Sequence, residues 1–101
     1  MTINKELEEK KLTLAIEGRV DTVTAPDFEK EIDAIDGEIN ELVLDCEKLE
    51  YTSSAGLRVI LKAQKLMTAK EGTMKLINVS QDVKEVLDIT GFGDILTVET
   101  K

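Results

Sequence analysis

The stretch from Ser54 to Lys70 constrains the fold most, because its apolar residues cover more than half of a helical circumference. A helix on a protein surface shows only one apolar stripe, so a helix of this kind is predicted to pack deep in the molecule. Such a helix has to be covered by other elements on most of its sides. The stretches before and after it have the patterns of strands.

Residues 11–17 alternate strictly between apolar and polar side chains, which is typical of a half-buried strand. Residues 3–8 resemble a weaker partner strand, joined to it by a tight turn near Glu9-Lys10. Residues 42–46 begin with a continuous apolar run and indicate a strand covered on both faces. Two more strands are predicted at 74–79 and, as a last strand or an extended tail, at 95–98.

Two further helices are predicted, each from a capping residue followed by apolar side chains at helical spacing. The first begins at Thr24, a residue type that caps helices, after a polar loop that follows Gly18 and runs through Thr22. Gly37 is expected to end it, and Ser80 and Gly91 are expected to bound the other. The apolar sides are predicted to comprise Phe28, Ile32 and Ile35 in the first helix and Val83, Val86, Leu87 and Ile89 in the other.

The predicted order is strand, strand, helix, strand, helix, strand, helix, strand. Strand–helix–strand units of this length favour parallel pairing with right-handed crossovers. We therefore predict one α/β domain over residues 1–101, with a small mixed sheet of about four to five strands backed by helices.

Composition excludes several classes of function. The 101 residues include 13 basic and 21 acidic side chains, for a net charge of −8, which disfavours binding to nucleic acid or to an anionic membrane. There is no histidine, so catalytic triads with histidine are excluded, and with Cys46 as the sole cysteine neither a zinc site nor an internal disulfide is expected. No apolar run suits a membrane span or a signal peptide, and we expect a soluble cytoplasmic protein without a cofactor or metal.

Three hydroxyl residues, Thr52, Ser53 and Ser54, stand in a row between a predicted buried strand and the predicted buried helix. In α/β sheets, functional residues concentrate at the carboxyl ends of strands, and the start of a helix favours anions. Ser53 or Ser54 is either a helix cap, a site of modification, or both. Phosphate there would add a charge of about −1.5 to −2.

The segment from Leu49 to Leu61 resembles the signature of STAS domains, specifically of bacterial anti-sigma factor antagonists. In that family an Asp-Ser-Ser/Thr-Gly-Leu or Ser-Ala-Gly-Leu motif opens a buried helix, and here Ser54-Ala55-Gly56-Leu57 stands at that place. The resemblance extends over nearly the whole chain. Its other matches are Gly18-Arg19-Val20-Asp21 followed by Thr24-Ala25, Leu42-Val43-Leu44-Asp45, and Thr90-Gly91-Phe92.

The resemblance implies a switch and not a catalyst. In the family, the unphosphorylated antagonist binds an anti-sigma factor that is also a serine kinase, which frees a sigma factor; phosphorylation in the motif ends the complex, and a phosphatase resets it. Ala55 occupies the usual second hydroxyl position, so we expect phosphorylation at Ser54, with Ser53 as the second choice. The partner-binding residues that the resemblance implies are Asp21, Thr24, Thr52, Ser53, Ser54, Ala55, Gly56, Leu57 and Arg58.

Other functions stay open. Because Ala55 cannot be phosphorylated, the chain is alternatively a STAS scaffold module in a signalling assembly, without its own kinase. An acyl carrier with a serine-linked arm is disfavoured by the alternating strands, and a serine hydrolase by the missing histidine. Asp21 and Thr24 alternatively cap a turn or a helix, and Arg58 is a candidate to pair with a phosphate on a nearby serine.

Overall fold

The first twenty residues form an antiparallel pair of strands in the computed structural model, which describes residues 1–101. Strand β1 (Thr2–Glu8) and strand β2 (Lys11–Val20) place Ile3 opposite Ile16, and the predicted turn lies between them with Glu9 at a φ of 56°. Strand β2 buries Leu14 and Ile16, so the alternation in the sequence points its apolar side chains into the core as predicted.

The remaining elements are helices and strands, with two consecutive strands between the first and second helices. Strand β2 pairs in parallel with β3 (Glu41–Asp45), β3 with β5 (Thr73–Val79) and β5 with β6 (Val98–Thr100), so the sheet is mixed, in the order β1-β2-β3-β5-β6. The predicted α/β class is confirmed. The elements are α1 (Ala25–Asp33), β3 (Glu41–Asp45), β4 (Leu49–Thr52), α2 (Ser54–Ala69), β5 (Thr73–Val79), α3 (Gln81–Thr90), a 3-10 turn (Phe92–Asp94) and β6 (Val98–Thr100).

Strand β4 is a sixth strand that the sequence did not predict. It has four residues, of which only Leu49 and Thr52 are buried, so it shows neither an apolar run nor apolar alternation. It pairs in parallel with the end of β2, which continues to Val20 where a polar loop was predicted. Gly18 marks an irregularity in this pairing and has a φ of 92°, a conformation that glycine adopts most readily.

Two other boundaries and one predicted apolar position differ from the prediction. Helix α1 ends at Asp33, before Gly37, and Ile35 lies beyond it against the core. The last strand is Val98–Thr100 and not 95–98, because Ile95 is exposed and Leu96 packs into the core ahead of the strand. Ile89, expected on the apolar side of α3, is 85% exposed.

Helix α2 packs one side into the core as predicted, but its outer face is open and Leu66 there is 43% exposed. It buries Leu57, Val59, Ile60, Ala63 and Met67, and it contacts α1, β4 and β5. Its 16 residues make it the longest helix, and none of the helices combines the length and apolar character that a membrane span requires. The fold therefore holds the start of α2 next to the ends of β2 and β4.

Candidate functional site

The candidate site lies where two parallel strands end and two helices begin. Val20, the last residue of β2, is opposite Thr52, the last residue of β4. The Ser53 N–H donates to the Val20 carbonyl oxygen at 2.8 Å, which ties the start of α2 to the end of β2. Past these strand ends the chain enters α1 through Asp21 and α2 through Ser53, so the two loops lie side by side.

Ser53 is the N-cap of α2. Its backbone is extended, its Oγ accepts a hydrogen bond from the Gly56 N–H at 3.4 Å, and its carbonyl oxygen accepts one from the Leu57 N–H at 3.0 Å. Ser53 is only partly exposed. Its hydroxyl therefore has a structural role, which satisfies one of the free N–H groups at the start of the helix.

Ser54 is the first residue of α2 and is exposed. Its hydroxyl forms no hydrogen bond to another residue, and the first turn of α2 contains no acidic side chain. The hydroxyl is therefore free to be reached by another protein. An anion at this position would meet the positive end of the helix dipole.

Thr52, Gly56 and Leu57 lie beneath this surface. Thr52 is 3% exposed and Leu57 is 2% exposed, so both side chains support the loop from below, and their contact with a partner stays a prediction. Gly56 is buried as well, and a Cβ there would lie 2.8 Å from Val20 Cγ1 and overlap Thr52 Oγ1. The absence of a side chain at Gly56 allows α2 to approach the two strands closely.

Asp21 organises the neighbouring loop. Its Oδ1 accepts hydrogen bonds from the N–H groups of Val23 and Thr24, both at 3.0 Å. The hydrogen bond from the Thr24 N–H, and then that from Val23, lowers the pKa of this carboxyl below its usual value of 3.8, and the nearby charge of Arg19 acts in the same direction. The carboxylate is thus ionised at neutral pH.

Thr24 stands at the N-cap position of α1, but its side chain makes no capping hydrogen bond to the helix. Its Oγ1 accepts a hydrogen bond from the Asp21 N–H at 2.9 Å and lies 3.2 Å from the Arg19 carbonyl oxygen. The Thr24 N–H in turn donates a hydrogen bond to the Asp21 carboxylate. Thr24 and Asp21 are therefore locked to each other, and both are partly buried.

An open groove of about 280 Å³ separates the starts of the two helices. Arg58 is exposed at its rim and forms no ion pair, and Ala55 is partly exposed one turn before it. Ala55, the residue after Ser54, lines this groove. Its lining residues are Thr22, Ala25, Pro26, Glu29, Ala55, Arg58 and Val59.

The sequence did not predict a role at the site for three exposed or paired side chains near it. The guanidinium carbon of Arg19 lies 4.4 Å from the ring centre of Tyr51, across the β2–β4 pairing that was not predicted. Val23 is 81% exposed in the loop between Asp21 and Thr24. Val23 could have been singled out in the sequence, because it is a lone apolar residue in a polar loop. No pattern in the sequence predicts the Arg19–Tyr51 contact.

The structure holds no cluster of three or more histidine, cysteine, aspartate or glutamate side chains placed to bind a metal ion. Cys46 is 0% exposed, and burial raises the pKa of its thiol to about 12, with a further contribution from Asp45. Cys46 is thus a buried small residue and not a reactive thiolate.

Comparison with known proteins gives the family. The model of the STAS domain family matches residues 2–101. A relative from Bordetella bronchiseptica, provisionally named anti-sigma factor antagonist BtrV, is 36% identical over 88 residues, or 86% of this chain and 76% of the relative. The anti-sigma-B factor antagonist of Bacillus subtilis is 27% identical over the full chain and 94% of its own length.

A solved structure has the same fold. The Bacillus cell fate determinant SpoIIAA in its phosphorylated form superposes with a TM-score of 0.77 at 18% identity, over 99% of this chain and 93% of that one. At this identity the likeness extends to the fold alone. From the family model and the relatives, the chain belongs to the STAS domain family, and it is similar to bacterial anti-sigma factor antagonists.

Proposed function

We propose that this protein is an anti-sigma factor antagonist that works by exchange of partners in the bacterial cytoplasm. Without phosphate it binds an anti-sigma factor that is also a serine kinase, and the sigma factor is released. Phosphorylation of Ser54 ends that complex, and a cognate phosphatase restores the binding form. The protein itself acts as ligand and substrate, without catalysis of its own.

One observation supports this proposal above the others: Ser54 is exposed, has a free hydroxyl, and begins a helix that is otherwise packed into the core. Its neighbour Ser53 is engaged as the cap through Gly56, which makes Ser54 the better phosphate acceptor of the two. The curated relatives named as antagonists support the class of partner.

A phosphate on Ser54 is expected to leave the fold intact. The free N–H groups and the dipole at the start of α2 favour negative charge. Arg58 lies four residues further along, on the same side of the helix, and forms no ion pair of its own. The added charge is therefore expected to be accommodated by the start of α2 and by Arg58.

The same phosphate is expected to break a complex formed over this surface. To move a complex from 99% to 1% bound, a modification has to change its stability by about 5.5 kcal/mol. Burial of a charge of about −1.5 to −2 against a partner that offers no matching cation costs energy on that scale. The switch thus acts on binding and not on folding.

The test is a binding measurement with each anti-sigma kinase of the source organism. Ser54→Asp, which places one negative charge at the site, is expected to weaken binding by about tenfold or more. Ser54→Ala is the matched control, since it removes the hydroxyl without adding charge and is expected to bind like the wild type. Circular dichroism of both variants should be unchanged. Equal binding by wild type and Ser54→Asp, or no binding by the wild type, would contradict the proposal.

A second function is favoured by one residue. Ala55 stands where the doubly hydroxylated motifs of the family have their second hydroxyl, and it lines the groove beside Arg58. A STAS scaffold module that is never phosphorylated would have no need of that hydroxyl. Mass spectrometry of the protein from its native cell separates the two functions: an unmodified loop in all growth states supports the scaffold.

A further inference from the structure

The outer face of α2 has a charge opposite to that of the rest of the protein. The helix contains three basic residues and no acidic residue, although the chain has 21 acidic residues and a net charge of −8. Arg58, Leu61 and Lys65 follow one another at spacings of three and four residues, which places them on one side of the helix. Arg58 and Lys65 are exposed, and neither takes part in an ion pair.

This face combines its charges with exposed apolar area. An open groove of about 430 Å³ runs along it, and Leu66 at its edge is 43% exposed. The third cation, Lys62, is paired with two carboxylates of α1, since its Nζ lies 2.7 Å from Asp33 Oδ1 and 3.1 Å from Glu29 Oε2, so these three groups together carry a net charge of −1. The groove is lined by Arg58, Leu61, Lys62, Lys65 and Leu66.

We propose that the outer face of α2 binds an acidic amphipathic helix of a partner protein. Leu61 and Leu66 contact the apolar side of that helix, while Arg58 and Lys65 pair with carboxylates about two turns apart, or roughly 10 Å at about 1.5 Å per residue. Lys65 lies eleven residues after Ser54, about 16 Å along the helix. The proposed docking face thus extends beyond the proposed switch, with which it shares Arg58.

Charge complementarity selects this occupant over two others. Attraction to an anionic membrane takes clusters of about four to eight cations, whereas this face has two that are unpaired and the whole chain is strongly negative. A second copy of this chain has the same net charge of −8, so two copies repel each other. A short acidic helix from another protein is also repelled at long range by the net charge of −8, but it carries fewer charges than a second copy and needs only the two unpaired cations that this face offers.

The test titrates the isotopically labelled full chain with a synthetic acidic amphipathic helix of about five turns, followed by amide chemical shifts. Saturable shifts centred on Arg58, Leu61 and Lys65 are expected. Lys65→Glu should weaken the affinity by about fivefold or more, since even an exposed ion pair contributes up to about 1 kcal/mol. Lys10→Glu is the matched control, because Lys10 is exposed at the β1–β2 turn, and it should leave the affinity unchanged.

Several results would overturn the inference. They are the absence of saturable shifts, shifts centred on another surface, equal weakening by Lys65→Glu and Lys10→Glu, and equal binding of a peptide whose glutamates are replaced by lysines. Shifts at this face that depend on protein concentration without peptide would assign it to self-association. Co-sedimentation with phosphatidylglycerol vesicles that Lys65→Glu abolishes would assign it to a membrane.

Discussion

Replacement of Gly56 by alanine is expected to destabilise the protein, although alanine is the better helix former. Gly56 lies in the first turn of α2, and an added Cβ would lie 2.8 Å from Val20 Cγ1 and 3.2 Å from Val20 Cβ while overlapping Thr52 Oγ1. Both neighbours are buried and β-branched, at 1% and 3% exposure, so neither side chain can rotate away freely. Helix and strands would have to move apart.

The expected size of the effect follows from two opposed contributions. Glycine to alanine within a helix gains about 1 kcal/mol in propensity. Overpacking of a well-filled core costs about 1–3 kcal/mol and occasionally more. Because the added methyl meets two stiff side chains at once, the upper end of that range applies, and we expect a net loss of about 1–2 kcal/mol in the free energy of unfolding.

Urea unfolding followed by circular dichroism measures this change. Gly37→Ala is the matched control, because a Cβ at Gly37 meets nothing within 4 Å. It is expected to leave stability unchanged or to raise it by up to about 1 kcal/mol through the unfolded state. A Gly56→Ala variant as stable as Gly37→Ala would refute the close approach of α2 to β2 and β4.

Further predictions concern individual side chains of the site and the core. Ser53→Ala is expected to lower the free energy of unfolding by about 1 kcal/mol through loss of the cap, whereas Ser54→Ala leaves it unchanged; equal effects in urea unfolding would contradict the assigned roles. The folded state depresses the pKa of Asp21, so its contribution to stability is present above the unfolded value of 3.8 and is lost as pH falls through the folded value. Thermal melts at descending pH should therefore show a smaller acid-induced loss for Asp21→Asn than for the wild type, and parallel losses would count against the hydrogen-bonded carboxylate. Cys46, with a thiol pKa of about 12 and no exposure, should resist dithiobis(nitrobenzoate) at pH near 8 until urea unfolds the protein, and rapid labelling of the native chain would contradict its burial.

The main elements of the fold could be predicted because their apolar residues follow a single period. Residues 11–17 alternate over enough positions to define a strand, and the apolar side chains of α2 cover too much of its circumference for a surface helix. Strand β4 lacks such a signal: Tyr51 is exposed, and the strand exists because it pairs with the end of β2. That pairing joins residues about thirty positions apart in the sequence. A local pattern of apolar residues carries no information about such a pairing.

The sequence predicted where the hydroxyl residues lie in the fold, but not which of them has a structural role. The motif located the hydroxyl residues at the start of α2, yet the sequence left open which serine caps the helix, and the geometry assigns that role to Ser53. Thr52 was expected among the partner-binding residues, and the parallel pairing of β4 turns its side chain into the core. At the start of α1, the Asp21 carboxylate accepts a hydrogen bond from the Thr24 N–H, because the loop folds the two residues close together.

The most direct test of the switch is to incubate the chain with ATP and each anti-sigma kinase of its organism, and to locate the phosphate by tandem mass spectrometry. We expect one phosphate, on Ser54, no labelling of Ser54→Ala, and loss of the kinase complex as labelling proceeds. Phosphate on Ser53 or Thr52, or a labelled chain that still holds its kinase, would contradict the account.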